Sequence, residues 1–298
     1  DHRDLHSFPT RRSSDLSFNA IYRMNALVNV IGTYSRKIGI PNFSQYDPNN
    51  SGYYDSFTSS SGNTQLQPNF YDNAQFKITF FDYAQFSVNY THSQFLNLSE
   101  VVVQPNSVQT VQTFRTYSNV NSLNYFFALP VPFVLFTKGL KFMNEPVEVD
   151  KMSFLYLYSS YTKTSISGYN YVNTNKGMWT LGVYSQFILP WKVRLNMEYY
   201  IAGKGNYQIY EFTRNRSSFD VTFSREFQDK KWRTSLSFED IFNTDQNTTA
   251  VSFPNIRMDS YSKQDTRIIW FKLSYSFGKV EKNDSNDLNL PGGSGQGE

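Results

Sequence analysis

With 298 residues, 39% of them hydrophobic and only 18% charged, the chain is no highly charged disordered segment. It has no cysteine, which excludes disulfide frameworks and thiolate metal sites, and no apolar run approaches the ~20 residues of a membrane-spanning helix. The formal net charge of +3 includes basic residues of a foreign-looking N-terminus, so it argues for no nucleic-acid partner.

That N-terminus, "HSFPTRRSSDL" from His6 to Leu16, has neither periodicity nor the shape of a signal peptide. Back-translated, it spells a string resembling a common sequencing-library adapter. Residues 1–16 are therefore read as a non-native addition, and the gene is expected to continue upstream.

From residue 17 onward the dominant signal is period-two alternation. In "VRLNMEYYI", Val193, Leu195, Met197, Tyr199 and Ile201 fall on one side, and Arg194, Asn196, Glu198 and Tyr200 on the other. Successive strand side chains point to opposite faces, so each such segment has an apolar and a polar face. The pattern predicts eleven strands, at 17–22, 26–35, 70–81, 84–96, 111–129, 152–163, 177–189, 192–202, 209–227, 231–241 and 264–277. The connections alternate in length. Short ones fall near 23–25, 82–83, 190–191 and 228–230, and long ones at 36–69, 97–110, 164–176, 203–208 and 242–263. The stretch 130–151 is long where a short turn is due.

Alternation alone suits a soluble sandwich as well as a membrane barrel. Strands of about ten residues match a tilted bilayer crossing, whereas soluble strands cluster near 5–6. Short turns at one end with long loops at the other are the outer-membrane habit. The aromatic excess, 22 Tyr and 27 Phe, collects at strand ends such as Tyr125–Phe127, Tyr199–Tyr200 and Trp270–Phe271, where amphipathic rings form interfacial girdles. The expectation is an all-β, transmembrane, antiparallel up-and-down β-barrel spanning 17–278. With short turns periplasmic, 279–298 forms a flexible periplasmic tail. An odd strand count does not close the even-stranded barrels of bacteria, and eleven is half of the ~22 of plugged transporters.

Four stretches carry a family resemblance: "YSRKIGIP" (Tyr34–Pro41), "GNTQLQP" (Gly62–Pro68), "EDIFN" (Glu239–Asn243) and "LSYSFG" (Leu273–Gly278). In this order and spacing they resemble the C-terminal barrel of TonB-dependent outer-membrane receptors of the Bacteroidetes type. Thr64 and Glu239 depart from that pattern, which leaves the substrate open. The resemblance implies energy-coupled uptake of a scarce ligand such as an iron chelate, vitamin or glycan. It also implies a plug domain inside the barrel, the TonB complex, the barrel-assembly machinery, and a bilayer containing lipopolysaccharide.

Ligand contacts are expected in the long loops, from Tyr46, Tyr53, Tyr54, Phe57, Tyr169 and Tyr171; the competing reading is that these rings pack on one another and on the rim. His92 and Ser93 are adjacent, hence on opposite strand faces, which argues against a nucleophile–base pair and a lipase. No catalytic residue, metal site or cofactor is expected. A plug-free porin, a barrel lipase and a soluble β-protein stand as alternatives.

Overall fold

The computed structural model describes residues 16–25, 27–48, 58–80, 84–104, 109–139, 152–170, 176–228 and 231–277. The chain begins with strands β1 (Leu16–Arg23) and β2 (Val28–Gly39), a one-turn helix α1 (Phe43–Tyr46), β3 (Thr58–Ser60) and β4 (Asn69–Phe80). Two long strands follow, β5 (Ala84–Val103) and β6 (Thr110–Pro132), then a short helix α2 (Val134–Lys138). Next come β7 (Phe154–Ile166), β8 (Met178–Leu189), β9 (Val193–Ala202), β10 (Gly205–Tyr207), β11 (Tyr210–Phe212) and β12 (Arg216–Phe227). The last are β13 (Trp232–Glu239), β14 (Asn247–Phe253), β15 (Ile256–Ser262) and β16 (Ile268–Tyr275).

Eleven strands form one antiparallel wall in the order β1-β2-β4-β5-β6-β7-β8-β9-β12-β13-β16, with β3 pairing in parallel on β6. They correspond to the eleven expected from alternation. The wall is up-and-down and open, with β1 and β16 as its edges. A second sheet, β10-β11-β14-β15, is built from segments expected to be loops, 203–208 and 242–263, together with the start of the expected strand 209–227. That strand splits because its pairing with β9 ends at Arg216↔Ala202. Beyond it the Asn215 side chain accepts from the Lys204 amide at 3.1 Å, and β11 turns away to pair with β14. The β5–β6 hairpin also runs past its expected end at residue 96, continuing through the left-handed Phe95 (φ 64°) to Val103↔Thr110. Of 130–151, the structure shows β6 reaching Pro132 and then α2; residues 140–151 lie outside the described residues, as do 1–15 and 278–298.

The register sorts the two faces. Val193, Leu195, Met197, Tyr199 and Ile201 stand in rows with Phe187, Val183 and Leu181 on β8 and with Phe223, Val221 and Phe219 on β12. The alternate residues Arg194, Asn196 and Glu198 stand in rows with Gln186 and Tyr184, and with Ser224, Thr222 and Asp220. No sheet covers the apolar face: Phe76, Phe127, Trp179, Leu181 and Phe271 are between 44% and 69% exposed. A soluble monomer rarely exposes more than a few hundred Å2 of contiguous apolar surface, so this face is the one turned to lipid. On β2, β4 and β9 it runs for about eight residues. At ~3.4 Å per residue and a tilt of ~40° this is a band ~21 Å tall, close to the ~25 Å of outer-membrane barrels.

The aromatic clusters are divided by pleat rather than shared by one girdle. Tyr125, Phe127, Tyr199 and Phe271 face outward, while their neighbours Phe126 and Tyr200 face inward. Towards the long-loop end, Tyr161 lies between Tyr125 (6.5 Å) and Trp179 (4.6 Å); at the short-turn end, Tyr275 packs on Trp232 (4.5 Å). Inside, the Tyr158 ring lies over Gly182, where a Cβ would come within 2.0 Å of it. This is the cross-strand device by which an aromatic ring covers a strand glycine.

Candidate ligand-capture site

The inward wall is polar and cross-linked. Asn124 donates to Thr162 Oγ1 (2.8 Å), Thr222 to Ser237 Oγ (2.9 Å), and Arg194 pairs with Glu226 (3.2 Å). A recess of 420 Å3 opens in it between Lys77, Gln85, Asn124 and Tyr158. Such a surface suits water and polar groups, not hydrocarbon.

Over the long-loop end stands the second sheet. Val251, Phe253 and Ile209 pack into one buried core with Val101, Tyr117, Val120, Ile166 and Tyr169. β5 lies six places from β13 in the wall, about 29 Å along its curve at ~4.8 Å per strand. Yet β14 and β15, which follow β13, touch β5, and Val120 and Ile166 belong to an inward-facing row with Ser93. The loop sheet therefore reaches across the concave side and roofs part of the mouth.

Its foot is held by a buried carboxylate. Asp240 is 1% exposed, with a left-handed φ of 43°. It accepts from the amides of Thr244 (2.8 Å) and Asp245 (3.1 Å), from Lys263 Nζ (3.0 Å) and from Thr266 Oγ1 (2.6 Å). Burial alone would raise its pKa, but the Thr266 and Lys263 side chains and the two amides outweigh it and hold the group at about 2. Beside it Arg216 forms an ion pair with Asp245, and Lys263 also donates to the Asp245 carbonyl at 2.9 Å. The "EDIFN" stretch is thus a clasp. "GNTQLQP" is another: a Cβ on Gly62 would lie 2.5 Å from the Asp47 carbonyl oxygen, and Asn63 donates to the Phe114 carbonyl at 2.8 Å.

Of the six expected ligand contacts, Tyr53, Tyr54, Phe57 and Tyr171 lie outside the described residues. Tyr46 ends α1 and is half-buried. Tyr169 is 2% exposed: its ring meets Tyr117 edge-on at 6.0 Å and its hydroxyl donates to the Ser252 carbonyl at 2.6 Å. It pins the roof rather than presenting a ring to solvent. The structure does not bring Tyr46 and Tyr169 together. Residues missed by the sequence reading are Asp240, Lys263 and Thr266, whose meeting depends on a hairpin hidden in an expected loop. His92 falls on the outward face and Ser93 on the inward one. Among the described residues no group of three His, Asp or Glu side chains is placed to hold a metal ion.

Comparison with known proteins adds two findings. Residues 15–275 match a family described as outer membrane protein beta-barrel family. Among solved structures, the siderophore receptor PirA from Pseudomonas aeruginosa is similar at a TM-score of 0.56 and 13% identity, over 77% of this chain and 39% of that one. The likeness is one of fold, and the chain spans well under two thirds of that receptor. No curated protein matches.

Proposed function

Since the chain belongs to the outer membrane protein beta-barrel family, we propose that it forms receptor wall for TonB-dependent uptake of a scarce ligand across the outer membrane. The long-loop end faces outside and the short turns face the periplasm. The observation that carries this reading is the loop sheet packed across the mouth of a polar-lined wall. An entrance partly roofed by a fixed sheet suits capture better than free diffusion. The fold likeness to a siderophore receptor supports the same class, and an iron chelate, a vitamin or a glycan remain the ligand classes. In this reading a plug fills the polar interior, the TonB complex acts on the plug, the barrel-assembly machinery inserts the wall, and lipopolysaccharide surrounds its outer half. In this reading the activity is transport; the opposite facing of the adjacent His92 and Ser93 supports it over a lipase.

The test is uptake of labelled ferric chelates, vitamins and glycans by cells with and without the gene, each repeated with a protonophore. Uptake of one class that needs both the gene and the proton gradient supports the reading. Gene-dependent uptake that survives the protonophore, with steady conductance in planar bilayers, overturns it in favour of a porin.

A further inference from the structure

On β2 to β7 the apolar outward face ends, towards the long loops, in a polar register row. Arg36, Asp72, His92, Asn121 and Ser165 stand opposite one another across β2, β4, β5, β6 and β7. One register row towards the short-turn end stand Tyr34, Ala74, Tyr90, Leu123 and Lys163, and Lys163 lies nine residues from Phe154 at that end of β7, level with Arg36. Arg36 and Asp72 lie eight residues along their strands from Val28 and Phe80 at the short-turn end, which puts them at the top of the ~21 Å band worked out above. This is headgroup height.

The row is ordered rather than merely polar. Tyr34 donates to Asp72 Oδ1 at 2.6 Å, and the Asn121 Oδ1 oxygen accepts from Tyr90 at 2.9 Å and faces His92 Nδ1 at 2.7 Å. Those bonds occupy Asp72 and Asn121 but leave the cations' donors open. Arg36 rests over the Phe70 ring at 5.8 Å and forms a loose ion pair with Asp72, Nε to Oδ1 3.7 Å, too long for a hydrogen bond, with its side chain 48% exposed. Lys163 has no hydrogen-bond or ion-pair partner among the described residues. The long-loop rim of β8, β9 and β12 carries instead the uncharged Trp179, Ile201 and Ser217 on the same face.

The geometry points to this arc as a binding site for lipid headgroups that bear phosphate and a net negative charge, in the leaflet at the long-loop end, with Arg36 and Lys163 supplying the charge and Tyr34, Tyr90 and His92 the surrounding polar contacts. The occupant follows from continuity: the arc is the upper edge of the lipid-facing wall, and what meets it there is the headgroup layer. An arginine fork and a lysine, their donors open, complement phosphate. The inference is independent of what the receptor imports.

The test uses the protein produced from its own gene, purified in detergent micelles and given phosphatidylglycerol, phosphatidylcholine or inorganic phosphate, with bound lipid counted by native mass spectrometry. The protein is expected to retain phosphatidylglycerol over phosphatidylcholine. Arg36→Gln and Lys163→Gln are each expected to weaken that binding about fivefold, and the pair about 25-fold. Lys77→Gln, which removes an inward cation, is expected to leave it unchanged. Folding is followed by heat-modifiable gel mobility, and the single variants carry the test if the double variant does not fold. Equal retention of both lipids, or unchanged binding in the variants, overturns the assignment. Inorganic phosphate displacing the lipid at equal concentration also overturns it, because the site would then serve a soluble anion.

Discussion

Replacing Asp240 with asparagine should release the roof while leaving the wall intact. The folded carboxyl titrates at about 2 against an ordinary 3.8. At ~1.4 kcal/mol per pKa unit, its hydrogen bonds favour the charged, folded form by roughly 2–3 kcal/mol. Because the folded pKa is depressed, that stabilisation is complete above about pH 4 and is lost as the pH falls towards 2. The asparagine amide keeps the volume but removes the charge, leaving Lys263 with only the Asp245 carbonyl and the Thr266 hydroxyl. Hydrogen–deuterium exchange on the purified protein reads the result strand by strand. Amides of β14 and β15 should exchange about 30- to 150-fold faster in Asp240→Asn, with β8 and β9 unchanged. The wild type should lose the same protection between pH 4 and pH 2, after correction for the intrinsic exchange rate. Equal protection of β14 and β15 in both proteins at neutral pH would refute the argument that this carboxylate holds the loop sheet down.

Three further perturbations address other parts of the structure. Leu195→Arg places a charge in the outward apolar band and should cost roughly 2–4 kcal/mol, whereas Asn196→Arg, on the inward face, should cost little; equal folding yields by heat-modifiable mobility would undo the face assignment. Tyr169→Phe removes the hydroxyl bond to the Ser252 carbonyl and should cost about 1 kcal/mol. It should appear as several-fold faster exchange in β14, and no change would show that the ring alone carries the contact. Gly62→Val drives a side chain into the Asp47 backbone; limited proteolysis of intact cells should then cleave the 40–68 segment faster than in the wild type.

The wall was legible because lipid and lumen impose a single rule, alternation with period two, on every strand. Even its unusual length could be read from runs such as that through Val193–Ile201. The roof was not legible because its strands are three to seven residues long and obey no such rule. Thr249, Ser260 and Ser262 sit in sheet positions while reading as loop, and their pairing is set by contacts with β5 and β6 far away in sequence. The family-like stretches were visible as strings, but their physical reasons were not. Gly62 is required by a backbone 15 residues earlier, and Asp240 by a lysine 23 residues later. One local signal was there to be found: Asn42 and Gln45 form a reciprocal capping box on α1, the spacing that marks a helix start. Tyr169 carried two readings. A tyrosine in a loop reads equally as a ring for a ligand or one packed on its neighbours, and the contacts with Tyr117 and Ser252 that make it core are far away in sequence.

The same physics that exposes one face of the wall to lipid makes demands on its two edges. Along the outer sides of β1 and β16, alternate N–H and C=O groups have no ladder partner within the described sheet, and both strands are exposed along nearly their whole length. In water such groups are hydrated at little cost. In hydrocarbon each unpaired one costs several kcal/mol, so an open sheet edge does not persist there. β1 and β16 cannot satisfy each other without bending an eleven-strand path shut on an odd count, which would force one parallel pair into an up-and-down barrel. The register gives the alternative its geometry. The row starting at Val28, at the short-turn end of β2, reaches β12 at Phe219, eight residues before that strand's end at Phe227. This is the progressive stagger of a tilted barrel wall. Any strand laid against β1 or β16 in a bilayer has to follow this same stagger to take up their free N–H and C=O groups.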